Sequence, residues 1–283
     1  MNGTDDGRYV ILTGEQDYHD FARVIEWQDD AILHWWTSDI CNMINGTDGS
    51  SFHPLITKKE KVYIFSSDLC RSLYAIFERT VYVKGVTAFR FVLPPNLFAN
   101  ASVNPDNAGF CVPSGNCLGS GVLNVSICKQ DAPIMMSSPH FYQGDQKYID
   151  NIIGMHPTKE EHETYLDINP LTGILIRAAK RLQVNVHVQK IAAFSETGNA
   201  RMLIFPVMYI NESVLIDDES AKKLKSVLLL TSLLTAVPFV IMAFGVLLGI
   251  IFIIVACSQH GRPQDELLTT VMWEGSVFSL SFI

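Results

Sequence analysis

The sequence predicts a mainly β globular part followed by one membrane-spanning helix. Three observations carry this. First, residues 226–259 contain no charged side chain, and 237–256 are almost wholly aliphatic or aromatic. A bilayer core is crossed by about 20 apolar helical residues, because a helix satisfies its own backbone hydrogen bonds there. Second, residues 182–189 alternate apolar and polar without fault, the pattern of a half-buried strand. Third, runs rich in Val, Ile, Phe and Tyr are punctuated by Asn45-Gly46, Pro94-Pro95, Asn104-Pro105, Asn169-Pro170 and Gly198-Asn199, which are turn signals.

Taken in order, strands are expected at 61–66, 73–83, 87–93, 182–189 and 201–210, with 164–169 also reading as a strand. Short helices are expected at 146–153 and 217–225, the second running straight into the membrane. No internal repeat or low-complexity linker interrupts the part before the span. The division is therefore an ectodomain over 1–225, a span over 226–257 and a tail over 258–283. Within the span, Gly245 and Gly249 form a G-x-x-x-G, a spacing that lets two helices approach closely and makes a homo-oligomer an open option. Pro238 should kink the helix or mark its entry turn. Cys257, at the end of the span, is a candidate for palmitoylation.

Charge and cysteine usage bear on compartment. The net charge of −8 and the lack of a basic stripe argue against a nucleic-acid partner, since phosphate binding needs clustered Lys and Arg. Five N-x-S/T sequons, at Asn2, Asn45, Asn100, Asn124 and Asn211, all precede the span, which favours a luminal or extracellular ectodomain. Cys111, Cys117 and Cys128 lie in a Gly- and Pro-rich segment, with Cys41 and Cys70 upstream. Their spacings do not fit a zinc site, so disulfides are the better reading, with one of the five left over. Against this, Lys222, Lys223 and Lys225 outweigh Arg262 across the span, which by the positive-inside rule would place the ectodomain in the cytosol. The first ten residues are polar. Both points are resolved if an anchoring segment lies upstream, so the chain is expected to be the C-terminal part of a longer protein.

The search for catalytic chemistry yields little. His162-Glu163 lacks the second histidine that a metal-binding helix would need three residues on, because position 166 is leucine. Gly115, Gly119 and Gly121 lack the context of a phosphate loop and read as turns. Trp27, Trp35 and Trp36 read as a core cluster. No catalytic residue, metal ligand or cofactor is expected.

Residues 107–145 (NAGFCVPSGNCLGSGVLNVSICKQDAPIMMSSPHFYQGD), 154–173 (GMHPTKEEHETYLDINPLTG) and 205–213 (FPVMYINES) resemble, in this order, the class B scavenger receptors. The likeness runs from about Asn2 to Cys257, and its lysosomal branch fits best. The resemblance implies an antiparallel β-barrel ectodomain with short helices, pierced by an apolar tunnel for cholesterol or phospholipid, and incomplete in this chain. It implies the pairs Cys70–Cys128 and Cys111–Cys117 with Cys41 free, and glycans on Asn45, Asn100, Asn124 and Asn211. For the full-length parent it implies a carrier role for lysosomal glucocerebrosidase, through a helical bundle whose segment this chain lacks. The family's acidic dileucine signal is not matched, since Leu267-Leu268 has Pro263 where the acid should stand and Asp265 and Glu266 are too close. The leading expectation is a lysosomal membrane receptor with a lipid tunnel. The rivals are a plasma-membrane scavenger or adhesion receptor of the same fold, and a membrane-anchored luminal hydrolase.

Overall fold

The computed structural model describes residues 5–191 and 193–260. Asn2 and the tail residues from Gly261 onward, with Leu267-Leu268, lie outside the described residues. The chain divides into two units, Met1–Lys222 and Lys223–Ile283.

In the first unit, β1 (Tyr9–Ile11) and β2 (Val24–Trp27) form a small antiparallel pair. The main sheet has eight strands: β3 (Lys61–Ser66), β4 (Arg71–Val83), β5 (Val86–Val92), β6 (Val122–Asn124), β7 (Ile134–Ser137), β8 (Tyr165–Ile168), β9 (Leu175–Val188) and β10 (Leu203–Leu215). Every pairing is antiparallel. The sheet is built on β9. One edge of β9 pairs with β10 from Arg177 to Val188. The other edge is shared end to end, by β8 over residues 175–179 and by β7 over 183–186. From β8 the sheet continues through β5 and β4 to β3, and from β7 to β6. Among the described residues no pairing closes this sheet, so the expected barrel is present as an open, incomplete sheet.

Local chemistry fixes several joints. The β4–β5 hairpin turns on Lys84 (φ 48°) and Gly85 (φ 78°). Both lie in the left-handed region that a two-residue hairpin requires, and Lys84 Nζ is tied to Asp218 at 2.8 Å. Gly46 (φ 90°) brings the chain so close to β3 that a Cβ would lie 2.1 Å from the carbonyl carbon of Tyr63.

Apolar clusters lie against the sheet, one of them packing Val122, Met135, Phe141, Tyr148 and Ile204 together; two others lie nearer the site. One gathers Trp27, Trp36, Phe65, Leu69, Leu97 and Leu182 around the fully buried Cys70. The other packs Phe52, Val62, Phe91, Leu166, Ile168 and Ala178 together. Leu166, Ile168 and Phe91 point inward because strand side chains alternate between faces. Asp167 and Arg90 point the other way.

Short helices α1 (Asp39–Asn42), α2 (Gln146–Asp150) and α3 (Lys159–His162) lie in the connections. Helix α2 stops earlier than its sequence suggests. After Asp150 the chain turns, and Ile153 is fully exposed, so no apolar face holds another helical turn.

Helix α4 runs unbroken from Asp218 to His260. The helix expected at 217–225 forms its first two turns and runs on into the span, as its sequence suggested. Pro238 lies well inside it and marks no entry turn. Asp218–Gln259 is long and apolar enough to cross a bilayer. Among the described residues a Cβ added at Gly245 or Gly249 would meet nothing within 4 Å beyond the helix's own backbone, so their small-residue notch is open. Cys257 is exposed at the far end.

Candidate functional site

Strand β9 sorts its side chains into two environments. Ala178, Lys180 and Leu182 share one face, and Arg177, Ala179 and Arg181 the other. The first face lines a cavity of about 650 Å³. Its floor is apolar, built from Leu69, Leu73, Leu166, Leu175, Ala178 and Leu182. These residues come from β4, β8, β9 and the β3–β4 turn; Ala178 and Leu182 share a face by alternation, and Leu175 joins them across the register shift between β8 and β9.

The cavity carries a polar margin. Lys180 Nζ reaches Glu212 Oε2 at 2.9 Å and also bonds the Asp68 carboxylate. Lys180 and Glu212 are register partners across β9 and β10. Burial alone would push the Lys180 pKa down, but Asp68 and Glu212 hold it raised. Beside them, Asp6 Oδ2 accepts from Tyr9 Oη at 2.5 Å and Ser67 Oγ at 2.6 Å. Burial opposes ionisation of Asp6, yet these bonds keep its pKa lowered. The Tyr9 phenol is pushed up to about 12 by burial and by Asp6. A fixed ammonium among carboxylates over an apolar floor suits a molecule with a long apolar body and a small polar end.

The sequence-predicted residues fall elsewhere. Cys70 is joined to Cys128, with Cα atoms 6.5 Å apart, and Cys111 to Cys117, 4.6 Å apart. Cys41 is a buried thiol. Asn211 is exposed on β10, while Asn45, Asn100 and Asn124 are half-buried. Asn100 Nδ2 donates to Leu118 O at 2.7 Å and Asn124 Nδ2 to Val112 O at 3.2 Å. His162 and Glu163 do not converge on a ligand. His162 stacks on His140 with centroids 4.3 Å apart, and Glu163 lies 3.9 Å from Lys159. Trp27 packs against Trp35 and Phe65, in the core.

The cavity residues were not singled out by motif. The signal that could have found them is the placement of Arg177, Lys180 and Arg181 in an otherwise apolar, alternating strand, which sends charges to both faces at once.

The CD36 family model matches residues 1–256. Lysosome membrane protein 2 of Rattus norvegicus is 57% identical over 264 residues, 93% of this chain and 55% of the relative. The Homo sapiens protein of that name is 56% identical over the same shares. Scavenger receptor class B member 1 of Sus scrofa is 34% identical over 98% of this chain and 53% of the relative. The chain thus spans about half the length of the curated relatives it matches.

Proposed function

From the premise that this chain belongs to the CD36 family, we propose that it is part of a lysosomal membrane receptor whose ectodomain, luminal and glycosylated, holds a lipid in the cavity beneath Lys180. The observation that carries the reading is the 650 Å³ cavity with its apolar floor, a volume within the range of about 300–1,000 Å³ usual for small-molecule sites. The similarity to proteins named lysosome membrane protein 2 supports the compartment, and helix α4 supplies the anchor. Cholesterol and phospholipid are the ligand classes that fit a hydrocarbon body with one polar end, and no catalytic chemistry is assigned to the site. A carrier role toward glucocerebrosidase belongs to the same reading of the longer parent and is tested by co-precipitation with it.

The test is photo-crosslinking of the detergent-solubilised chain with a diazirine cholesterol and a diazirine phospholipid. Labelled peptides are expected to include residues 164–182, and Ala178→Phe, which fills the cavity, should suppress them several-fold. Labelling confined to the α4 span, or unaffected by the substitution, would refute the lipid reading. Orientation is tested separately. Glycosidase treatment of the anchored parent should lower its apparent mass, and an unchanged mass would refute the luminal assignment.

A further inference from the structure

The face of the sheet opposite the cavity carries a row of charge. In register across four strands lie Arg79 on β4, Arg90 on β5, Asp167 on β8 and Arg177 on β9. Asp167 is fully buried. It accepts from Arg90 Nε and Nη2 at 2.7 and 2.8 Å and from Arg177 Nε at 2.7 Å. One carboxylate thus serves two guanidinium groups. Two pleat repeats along β9, Arg181 points to the same side. Its Nη1 donates to the backbone carbonyls of Glu160 and Glu163 at 2.8 and 3.0 Å. Among the described residues it has no carboxylate partner, and its buried Nε has no acceptor. The ring of Tyr165 stands among them, 4.0 Å from Arg90 Cζ and 5.7 Å from both Arg177 Cζ and Arg181 Cζ.

Residues of the α3 segment close this arrangement into a cleft of about 290 Å³, lined by Arg79, Arg90, Lys159, Arg177 and Arg181 with Glu160, Glu163 and Tyr165. Glu78 takes Lys159 and lies 3.8 Å from Arg79. Glu163 lies 3.9 Å from Lys159, and burial raises its pKa. Two of the five cations share one acid and a third has none, so the cleft presents unneutralised guanidinium groups around an aromatic ring. Planar guanidinium forks match the oxygens of a tetrahedral oxyanion.

We infer that this cleft is a binding site for a phosphate group, held by Arg79, Arg177 and Arg181 over Tyr165 on the outer face of the sheet. The group comes either from free phosphate or from the phosphodiester of a lipid headgroup. The site is separate from the cavity and does not rest on the lipid reading of it.

The full chain in neutral detergent is titrated calorimetrically with inorganic phosphate in one arm, and with dihexanoyl phosphatidylglycerol below its micelle concentration in the other, over a chloride background. Saturable binding is expected in at least one arm, and the arm that saturates at lower concentration identifies the source. Arg181→Gln should weaken it about tenfold, as expected for a lost charge-assisted bond. Arg181→Lys, which keeps the charge but not the fork, should fall between, and Lys190→Gln should bind as the native chain does. Arg79 and Arg181 are substituted rather than Arg90 or Asp167, so the buried pairing survives, and unchanged thermal unfolding checks this. Absence of saturation in both arms, or equal binding by the native chain and the Arg79→Gln, Arg181→Gln double variant, would overturn the site.

Discussion

Removing the Cys70–Cys128 link should cost the ectodomain about twice as much as removing Cys111–Cys117. The two loops span 58 and 6 residues. In the chain-entropy account, a cross-link removes unfolded-state entropy that grows with the logarithm of the loop. That corresponds to about 4 kcal/mol for the longer loop and about 2 kcal/mol for the shorter. The difference, about 2 kcal/mol, depends only on the ratio of loop lengths, so it is sturdier than either value. Each pair is replaced by alanine, Cys70→Ala with Cys128→Ala and Cys111→Ala with Cys117→Ala, so that no lone thiol remains to mispair. Urea unfolding is followed by tryptophan fluorescence. Trp36 is a suitable reporter, because its Nε1 donates to the Cys70 carbonyl at 2.6 Å inside the same cluster. Non-reducing peptide mapping of the native chain establishes the pairing first. Equal losses for the two variants, or a larger loss for the short loop, would show that the loops do not act through the unfolded chain.

Three further outcomes are expected. Asp167→Ala should destabilise the first unit by about 3–5 kcal/mol, because it strands the buried Arg90 without its counter-ion; a loss under 1 kcal/mol in the same unfolding assay would refute this. His162 should make the fold less stable as pH drops below its ordinary value of 6.5, since burial, then His140, lowers its folded pKa; its contribution is present above 6.5 and lost as pH falls toward the folded value. Glu163 acts in the opposite sense: with a folded pKa raised above 4.5, its contribution is full below 4.5 and is lost as pH rises through the folded value. Unfolding midpoints from pH 7.5 to 5 should therefore fall less steeply for His162→Gln than for the native chain, and parallel slopes would count against it. Finally, Gly245→Ile with Gly249→Ile should abolish any self-association of the span measured by resonance energy transfer in vesicles, and unchanged transfer would place the contact elsewhere.

The elements that could be read in the sequence are those whose signal is local. Strand β3 coincides with its apolar run, and helix α4 announces itself by the absence of charge over 226–259. Strand β9 was legible only over its second half. Its first half carries Arg177, Lys180 and Arg181, which obscure the alternation until the partner strands show that both faces are occupied. The short turn of α3 is held by contacts distant in sequence, including Lys159 with Glu78, and has no periodicity of its own. The cavity was not legible by motif, because an apolar floor uses the residue types of any core. It is the gap between the clusters that makes it a site, and gaps leave no mark in composition.

The shared edge of β9 has a consequence for how this chain can change in length. Because β8, β7 and β10 all take their register from it, one residue inserted near Ala179 would exchange the two faces over the rest of the strand. Leu182 would turn into the buried polar network of Gln183 and Asn185, and Arg181 into the cavity. Only a bulge could absorb the slip, as the register shifts between Pro206 and Met208 on β10 and between Asp167 and Ile168 on β8 already do. Insertions and deletions compatible with folding are therefore expected in the connections, or as further bulges that keep the two faces of β9 distinct.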